Sequence, residues 1–496
     1  MSDMLLSPDG VARLRDALTS AGFTSAGIAA RLGPEATAAV ARNDFRAALR
    51  ATEDRDPLAT LIRVFVCAQS EPVEVVAAAL APLGFEEAFD AGLVEAAPGG
   101  GVRQGVDLEP YGDDWWVLSD VPSSARPGQP LRPDHVLGIG GASSTLAAAT
   151  IRTPVDTALD LGTGCGVQAL HLGTHAKRVT ATDLSERALR FAATTAALSG
   201  QSWELLRGDL VAPVAGRRFD LVVSNPPFVV GPGTTTHTYR DSGRAGDAVC
   251  AELAAAAPGL LAEGGVMQFL ANWEHVAGDD WGERVAGWFD GTGLDAWVIQ
   301  REVADPMAYV GLWLADANEA DDPARAAAWL DWFDANRVEA IGFGLVTLRR
   351  GGHDDPTVRV EDLRQQVEQP LGDRIAEWFG RQDFIRSSDL LAARYRTAPG
   401  LRLQQDATLG PDGWEVDRQV LVMPDGLRWS EEVDPLVLAL VSGCTGEVPL
   451  RDQIALLAVA HEVPEADLAE AAGPIVAHLV ERGIVEPVGS GIGGRP

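Results

Sequence analysis

The sequence predicts an α/β protein built round a doubly wound, mainly parallel sheet with helical modules on either side. Three observations predict it. Between residues 135 and 350, runs of β type alternate with amphipathic helical runs, which requires crossover connections and strands covered by helices on both faces. A glycine-rich turn, Asp160-Leu161-Gly162-Thr163-Gly164-Cys165-Gly166, directly follows the first run and precedes a helix. An acid, Asp183, ends the second.

The elements follow in order. Residues 1–125 read as a helical, winged-helix-like domain: LRDALTSAG, SAGIAARLG behind Thr24, EATAAVARNDFRAALRA, DPLATLIRVFVCAQ and PVEVVAAALAPLG each carry helical apolar spacing broken by Gly, Pro or an acidic cap. VRQGVDLEPY and DWWVLSD, joined by a Gly112–Asp113 turn, then alternate as a hairpin. Pro122, Pro127, Pro130 and Pro133 mark a linker. In the 135–350 domain VDTALDLG, RVTATDL, SWELLRG, FDLVVSN, GVMQFLAN, LDAWVIQRE and AIGFGLVTL make seven expected strands. Residues 351–430 read as a charged helical and hairpin connection, with turns at Pro411–Asp412–Gly413 and Pro424–Asp425–Gly426. Residues 431–490 read as three amphipathic helices and a short strand, again winged-helix-like, and GSGIGGRP as a frayed tail.

Composition excludes several classes. The 496 residues carry 40 basic and 71 acidic side chains, a net charge of −31, which disfavours a nonspecific nucleic-acid coat or a polybasic membrane binder. Four scattered cysteines without C-x-x-C spacing argue against a disulfide framework or a thiolate metal site, and no metal is expected. His171 and His175 have helical spacing suitable for zinc but no third ligand, so they read as surface or packing residues. A basic leader followed by an apolar core is absent, as is any apolar run of about 18 residues; the expected compartment is cytoplasmic.

The glycine turn and Asp183 together point to a nucleoside ligand: glycines let a ligand approach the main chain, and an acid at the next strand end can accept ribose hydroxyls. Gly138-Ile139-Gly140-Gly141-Ala142-Ser143-Ser144-Thr145 lacks the lysine of a phosphate loop; it reads as a helix start capped by Ser143 or Ser144 that closes over the ligand. Two further sites decide between nucleosides. Arg207-Gly208-Asp209-Leu210 ends the third strand, and the fourth runs into Asn225-Pro226-Pro227-Phe228.

This combination resembles the class I S-adenosylmethionine-dependent methyltransferases, in the branch with an N-P-P-[YF] motif, similar to release-factor glutamine methyltransferases and to rRNA, tRNA and DNA amino-methyltransferases. The resemblance implies a Rossmann-like methyltransferase sheet and S-adenosyl-L-methionine as cofactor, S-adenosyl-L-homocysteine being the product. Asp160, Gly162, Thr163, Gly164 and Gly166 would line its methionine end, Asp183 bind the ribose, Leu184 and Leu210 flank the adenine, and Asp209 take the adenine edge. Asn225, with Pro226, Pro227 and Phe228, would hold the target nitrogen beside the cofactor. An amide or aryl amine has its lone pair delocalised; two carbonyls that accept its N–H hydrogens orient it and stabilise the charge that develops. Tyr239, Arg240 and Arg244 follow closely, as substrate contacts or as ion pairs with Asp241 and Asp247. The expected substrate is macromolecular, a protein glutamine amide (a translation factor or peptide) ahead of an exocyclic amine of adenine or guanine in rRNA or tRNA. A non-catalytic S-adenosylmethionine-binding regulator is the reading from another class.

Overall fold

In the computed structural model, described over residues 4–489 apart from 113, 127, 235, 236 and 238, all seven expected strands pair into one sheet and an eighth joins them. They are β1 (Val155–Leu161), β2 (Ala176–Asp183), β3 (Glu204–Arg207), β4 (Phe219–Ser224), β5 (Leu261–Val276), β6 (Asp295–Ala304), β7 (Val338–Arg349) and β8 (Val358–Asp362), in the order β8-β6-β7-β5-β4-β1-β2-β3. β7 runs antiparallel to both neighbours; every other pairing is parallel. The seven-strand expectation is therefore corrected to eight. TVRVED carries too many charges to read as strand, yet it needs only one partner, and its backbone pairs along β6 at the sheet edge.

The core strands are apolar because helices cover both their faces. Ala158–Leu161 of β1 and Leu221–Ser224 of β4 are buried without a break. Helices α1 (Val167–Leu172), α2 (Glu186–Leu198) and α3 (Ala248–Leu260) supply the cover. Ser185 caps α2 by accepting the Ala188 N–H at 3.3 Å. Between β6 and β7 lie α4 (Pro306–Asp316), capped by Asp305, and α5 (Pro323–Ala335), capped by Asp322.

The chain divides into two compact units, 1–147 with 153–363 and 148–152 with 364–496. In the first, short helices from Pro8–Ala21 to Phe85–Asp90 precede two hairpins, Val94–Ala96 with Val102–Gln104 and Asp107–Tyr111 with Trp115–Ser119. The second hairpin is the one expected from alternation, except that the strand read as VRQGVDLEPY is split, its Val102–Gln104 pairing with Val94–Ala96 and only Asp107–Tyr111 joining Trp115–Ser119; Asp113 of its turn lies outside the described residues. It lies on α2: the Leu118 N–H donates to Thr195 Oγ1 at 3.2 Å and Arg187 grips Asp120. Leu14, Leu18, Trp116 and Leu118 share one apolar core with Val167, Leu170, Phe191 and Leu198. These residues and the sheet's first two helices thus bury one another.

The second unit holds the helix Gly372–Ser387, the expected antiparallel strands Arg402–Gly410, Gly413–Val422 and Ser430–Glu432, and the helices Pro435–Gly443, Leu450–His461 and Glu465–Glu481 ahead of the strand Val485–Pro487. Tyr395, Leu440, Ile454, Leu479 and Val485 fill its core. The frayed-tail reading concerns Gly489–Pro496, which beyond Gly489 lies, like Pro127 of the linker, outside the described residues. No helix among the described residues is long and apolar enough to cross a membrane.

Candidate active site

β1 and β4 are neighbours in the sheet, but their outgoing connections diverge: β1 is followed in space by β2 and β3 on one side, β4 by β5 on the other. Ligands of open α/β sheets bind at such a reversal, outside the carboxyl ends of the strands. Leu161 pairs with Ser224 across it, and Ser224 Oγ donates to the Leu161 carbonyl at 2.7 Å. The next residues on the two strands are Gly162 and Asn225. The glycine turn and the asparagine–proline corner therefore leave the sheet side by side.

The turn is tied down from beneath. Thr163 Oγ1 and the Ala169 N–H both donate to Asp160 Oδ2, at 2.5 and 3.0 Å, so one carboxylate oxygen spans turn and helix start. The other, Oδ1, is buried and has no hydrogen-bond partner. Burial pushes the Asp160 carboxyl up to about 7, against the pull of Thr163 and the Ala169 amide. Asp183 accepts the Gly164 N–H at 2.9 Å and the Ser185 N–H at 2.8 Å, fixing the turn to the end of β2; burial raises its pKa. Gly162 and Gly164 have φ of 77° and 55°, and a Cβ on either would point into open space. Gly166 differs. A Cβ there would lie 2.7 Å from the Trp203 ring, so this glycine serves close packing at the head of α1.

At the third strand, Asp209 is exposed and Leu210 has a φ of 42°, unusual for a residue with a side chain. Leu210 packs partly on the sheet core, while Leu184 is 54% exposed beside Asp183. Gly141–Ala149 is helical from its first residue, so Ser143 and Ser144 sit inside the helix and are not its caps, a correction to the sequence reading. Gln168 on α1 donates to the Ser143 carbonyl at 2.8 Å.

The corner itself is rigid. The Phe228 N–H donates to the Pro226 carbonyl at 2.8 Å, a three-residue turn across Pro227 that leaves the carbonyl one free lone pair. Asn225 Oδ1 is buried without a hydrogen-bond partner. Phe228 lies edge-on to Trp313, with ring centroids 6.1 Å apart, and bridges to Asp241.

Sequence reasoning missed what braces this loop. Tyr309 Oη accepts the Val230 N–H at 2.8 Å and an Asn272 side-chain N–H at 2.9 Å, and the Trp329 indole donates to the Val230 carbonyl at 3.0 Å. Trp329 and Phe333, at helical spacing on α5, are buried, and the core they fill lies under the loop. Tyr309→Phe is expected to cost about 1–3 kcal/mol, since two buried donors lose their acceptor, and to lower turnover with it. Urea unfolding and rate measurements check this, and an unchanged midpoint would contradict the bracing role.

Of the three polar residues after the motif, Arg240 does pair with Asp241, at 3.1 Å. Arg244 pairs with Asp209 and Glu252, whereas Asp247 is taken by Arg284. Tyr239 donates to Asp316 at 2.7 Å. His171, read as a packing residue, hydrogen-bonds Tyr111 at 2.8 Å and meets Trp115 edge-on.

A second, half-buried acid begins the strand Asp107–Tyr111. Burial and neighbouring Glu109 push the Asp107 carboxyl up to about 7. A folded-state value above the unfolded one, about 3.9, means that the folded chain binds the extra proton between these limits, so stability falls as pH rises from about 4 to about 7. Asp107→Asn removes this penalty. The variant is expected to gain about 1–3 kcal/mol over the parent at pH 8 and nothing near pH 4; an advantage that does not grow with pH in urea titrations would refute the assignment.

Comparison with known proteins agrees with this geometry. Residues 141–278 match the methyltransferase small domain family. The central segment is a methyltransferase domain. Flanking it, residues 20–105 and 376–487 match two domains of unknown function, DUF7059 and DUF7782. The methyltransferase segment is 36% identical over 126 residues to a ribosomal protein uL3 glutamine methyltransferase of Xylella fastidiosa, covering 25% of this chain and 39% of that protein. A release factor glutamine methyltransferase of Deinococcus radiodurans is 48% identical over 73 residues, 14% of this chain and 26% of that protein. A ribosomal RNA small subunit methyltransferase C of Alcanivorax borkumensis is 34% identical over 116 residues, 23% and 32% of the two chains. The chain thus spans well under half the length of these curated relatives.

S-adenosylmethionine is the cofactor of the methyltransferase domain. The residues present fit such a group. The open faces of Gly162 and Gly164 leave room for it, and the orphaned Asp160 Oδ1 calls for a donor that the described residues do not supply.

Proposed function

We propose that this chain is an S-adenosylmethionine-dependent N-methyltransferase that modifies a planar nitrogen of a macromolecule, the favoured target being a protein glutamine side-chain amide. The observation that carries the reading is the buried, unpartnered carbonyl oxygen of Asn225, one residue beyond the strand pair that also launches the glycine turn. A buried acceptor without a partner costs about 1–3 kcal/mol, and a substrate N–H is the donor that offsets it.

Asp160, Gly162 and Gly164 would hold the methionine end of the cofactor, Asp183 the ribose and Asp209 the adenine edge. When bound, the cofactor supplies an electrophilic methyl group. Asn225 Oδ1 accepts one amide hydrogen of the target and the Pro226 carbonyl the other. Their partial negative charges favour the nitrogen as it becomes positive on bonding the methyl carbon, whose bond to sulfur breaks to leave S-adenosylhomocysteine; the acidic nitrogen then loses one proton to water, so no strong base is needed. The turn across Pro227 holds the second carbonyl in place, so little reorganisation accompanies the reaction. Phe228 offers a face on which a planar amide stacks. The flanking segments select the macromolecule, the C-terminal helices as a winged-helix-like peptide holder.

Protein is favoured over RNA because the net charge of −31 repels polyanions, and two of the three relatives described are glutamine methyltransferases. Incubation with labelled S-adenosylmethionine and cell lysate, followed by protease or RNase, tests this. Protease-sensitive label is expected. Label lost only to RNase moves the target to a base amine, and no label on any macromolecule moves the reading to a binding protein.

A further inference from the structure

Asp209 is exposed, and a carboxylate in water on a single Cβ has no fixed direction. Among the described residues one cation stands within ion-pair reach of it: Arg244 Nη2, 3.4 Å from Asp209 Oδ2. Arg244 is itself held on its other edges. Nε pairs with Glu252 Oε2 of α3 at 2.5 Å, Nη1 donates to the Ser242 carbonyl at 3.0 Å, and the Arg244 N–H donates to Ser242 Oγ at 3.1 Å. A planar guanidinium fixed along two edges has a third edge of fixed direction. That edge faces Asp209. The 3.4 Å separation is longer than the 2.7–2.9 Å of a full charge-assisted bond, so the carboxylate keeps lone pairs for a second donor. Arg244 also walls a cavity of about 280 Å³ that runs from Val229, next to Phe228, to Trp329. It therefore stands between the third-strand acid and the loop that follows the asparagine–proline corner.

We propose that Arg244 is a positioning residue that orients Asp209 to accept the 6-amino group of the cofactor's adenine, and so sets the preference for adenine over a 6-oxo purine. The proposal rests on the cofactor reading above. Glu252 and Ser242 act through Arg244, and of these four residues Asp209 alone touches the base. A 6-oxo purine presents an acceptor where adenine presents a donor, and two acceptors facing each other repel.

Calorimetric titration of the full chain with S-adenosylhomocysteine and with S-inosylhomocysteine, in which oxygen replaces the 6-amino group, tests it. The parent is expected to prefer the adenosyl compound by about tenfold or more, one charged hydrogen bond's worth. Arg244→Ala is expected to lose most of that preference. Arg244→Lys, which restores a charge but not the fork, is expected to recover part of it. Asp209→Asn should lose the preference to the same degree, and adding Arg244→Ala to it should change little further. Should Arg244→Ala not fold, Arg244→Gln carries the same expectation. A parent-like preference in the Arg244 variants overturns the proposal, and so does one in Asp209→Asn. Failure of the parent chain to bind S-adenosylhomocysteine at all overturns the cofactor reading instead.

Discussion

Asn225→Ala is expected to lower turnover about 10²–10³-fold, the usual cost of removing one preorganised polar group from a reacting centre, while S-adenosylmethionine affinity stays within about twofold. The expectation follows from the asymmetry of the side chain's surroundings. Asn225 Oδ1 has no hydrogen-bond partner among the described residues, so truncation breaks no bond to it. It removes a buried acceptor whose desolvation is uncompensated, and the melting temperature should hold or rise. Asp183 makes the contrasting case. Its two oxygens accept the Gly164 and Ser185 amides, so Asp183→Ala releases the glycine turn and should weaken cofactor binding. Single-turnover rates and calorimetric titrations of both variants provide the check. If the two lose cofactor affinity equally, the division of roles between corner and turn is wrong.

Arg240→Ala is expected to destabilise the first unit by about 3–5 kcal/mol, the range for breaking a buried ion pair from one side. Arg240 is 1% exposed. Its Nε meets Asp241 Oδ1 at 3.1 Å, Nη1 the Trp313 carbonyl at 2.6 Å and Nη2 Glu319 Oε2 at 3.3 Å. Removing the guanidinium leaves Asp241 and Glu319 with Arg325 as their remaining arginine partner in a largely dry site, and cuts one link between the post-motif loop and α4. Asp241 bridges to Phe228, so turnover should fall as well. Arg240→Lys should recover little, because one ammonium cannot reach three acceptors set round a plane. Urea unfolding of the three proteins decides it, and a midpoint that stays in place for Arg240→Ala would show that the network carries no stability.

The parts of the fold that were legible in the sequence are those where local pattern and burial agree. The inner strands among those from VDTALDLG to AIGFGLVTL are apolar over most of their length because they are covered on both faces, whereas β3, ELLR at the sheet edge, is exposed at both ends; each occupies its expected place. β8 was not legible, since an edge strand with one partner can be charged. The glycine turn, Asp183 and the asparagine–proline corner could be read because their chemistry is carried by contiguous residues. What braces them could not. Tyr309, Trp313, Trp329 and Arg244 lie between 16 and about 100 residues further along, and no spacing rule connects a tyrosine on α4 to the Val230 amide. Arg244 illustrates the limit well. Its nearness to Asp247 in sequence suggested one partner, and folding delivered Asp209 and Glu252.

The apolar core common to the first 120 residues and the helices α1 and α2 has a practical outcome for anyone dissecting this chain. A fragment begun at the glycine turn's own segment would bare Val167, Leu170, Phe191 and Leu198 to solvent and should clump during expression. Boundaries drawn where sequence families stop would cut through this shared core, and the smallest excisable unit starts near the first helix.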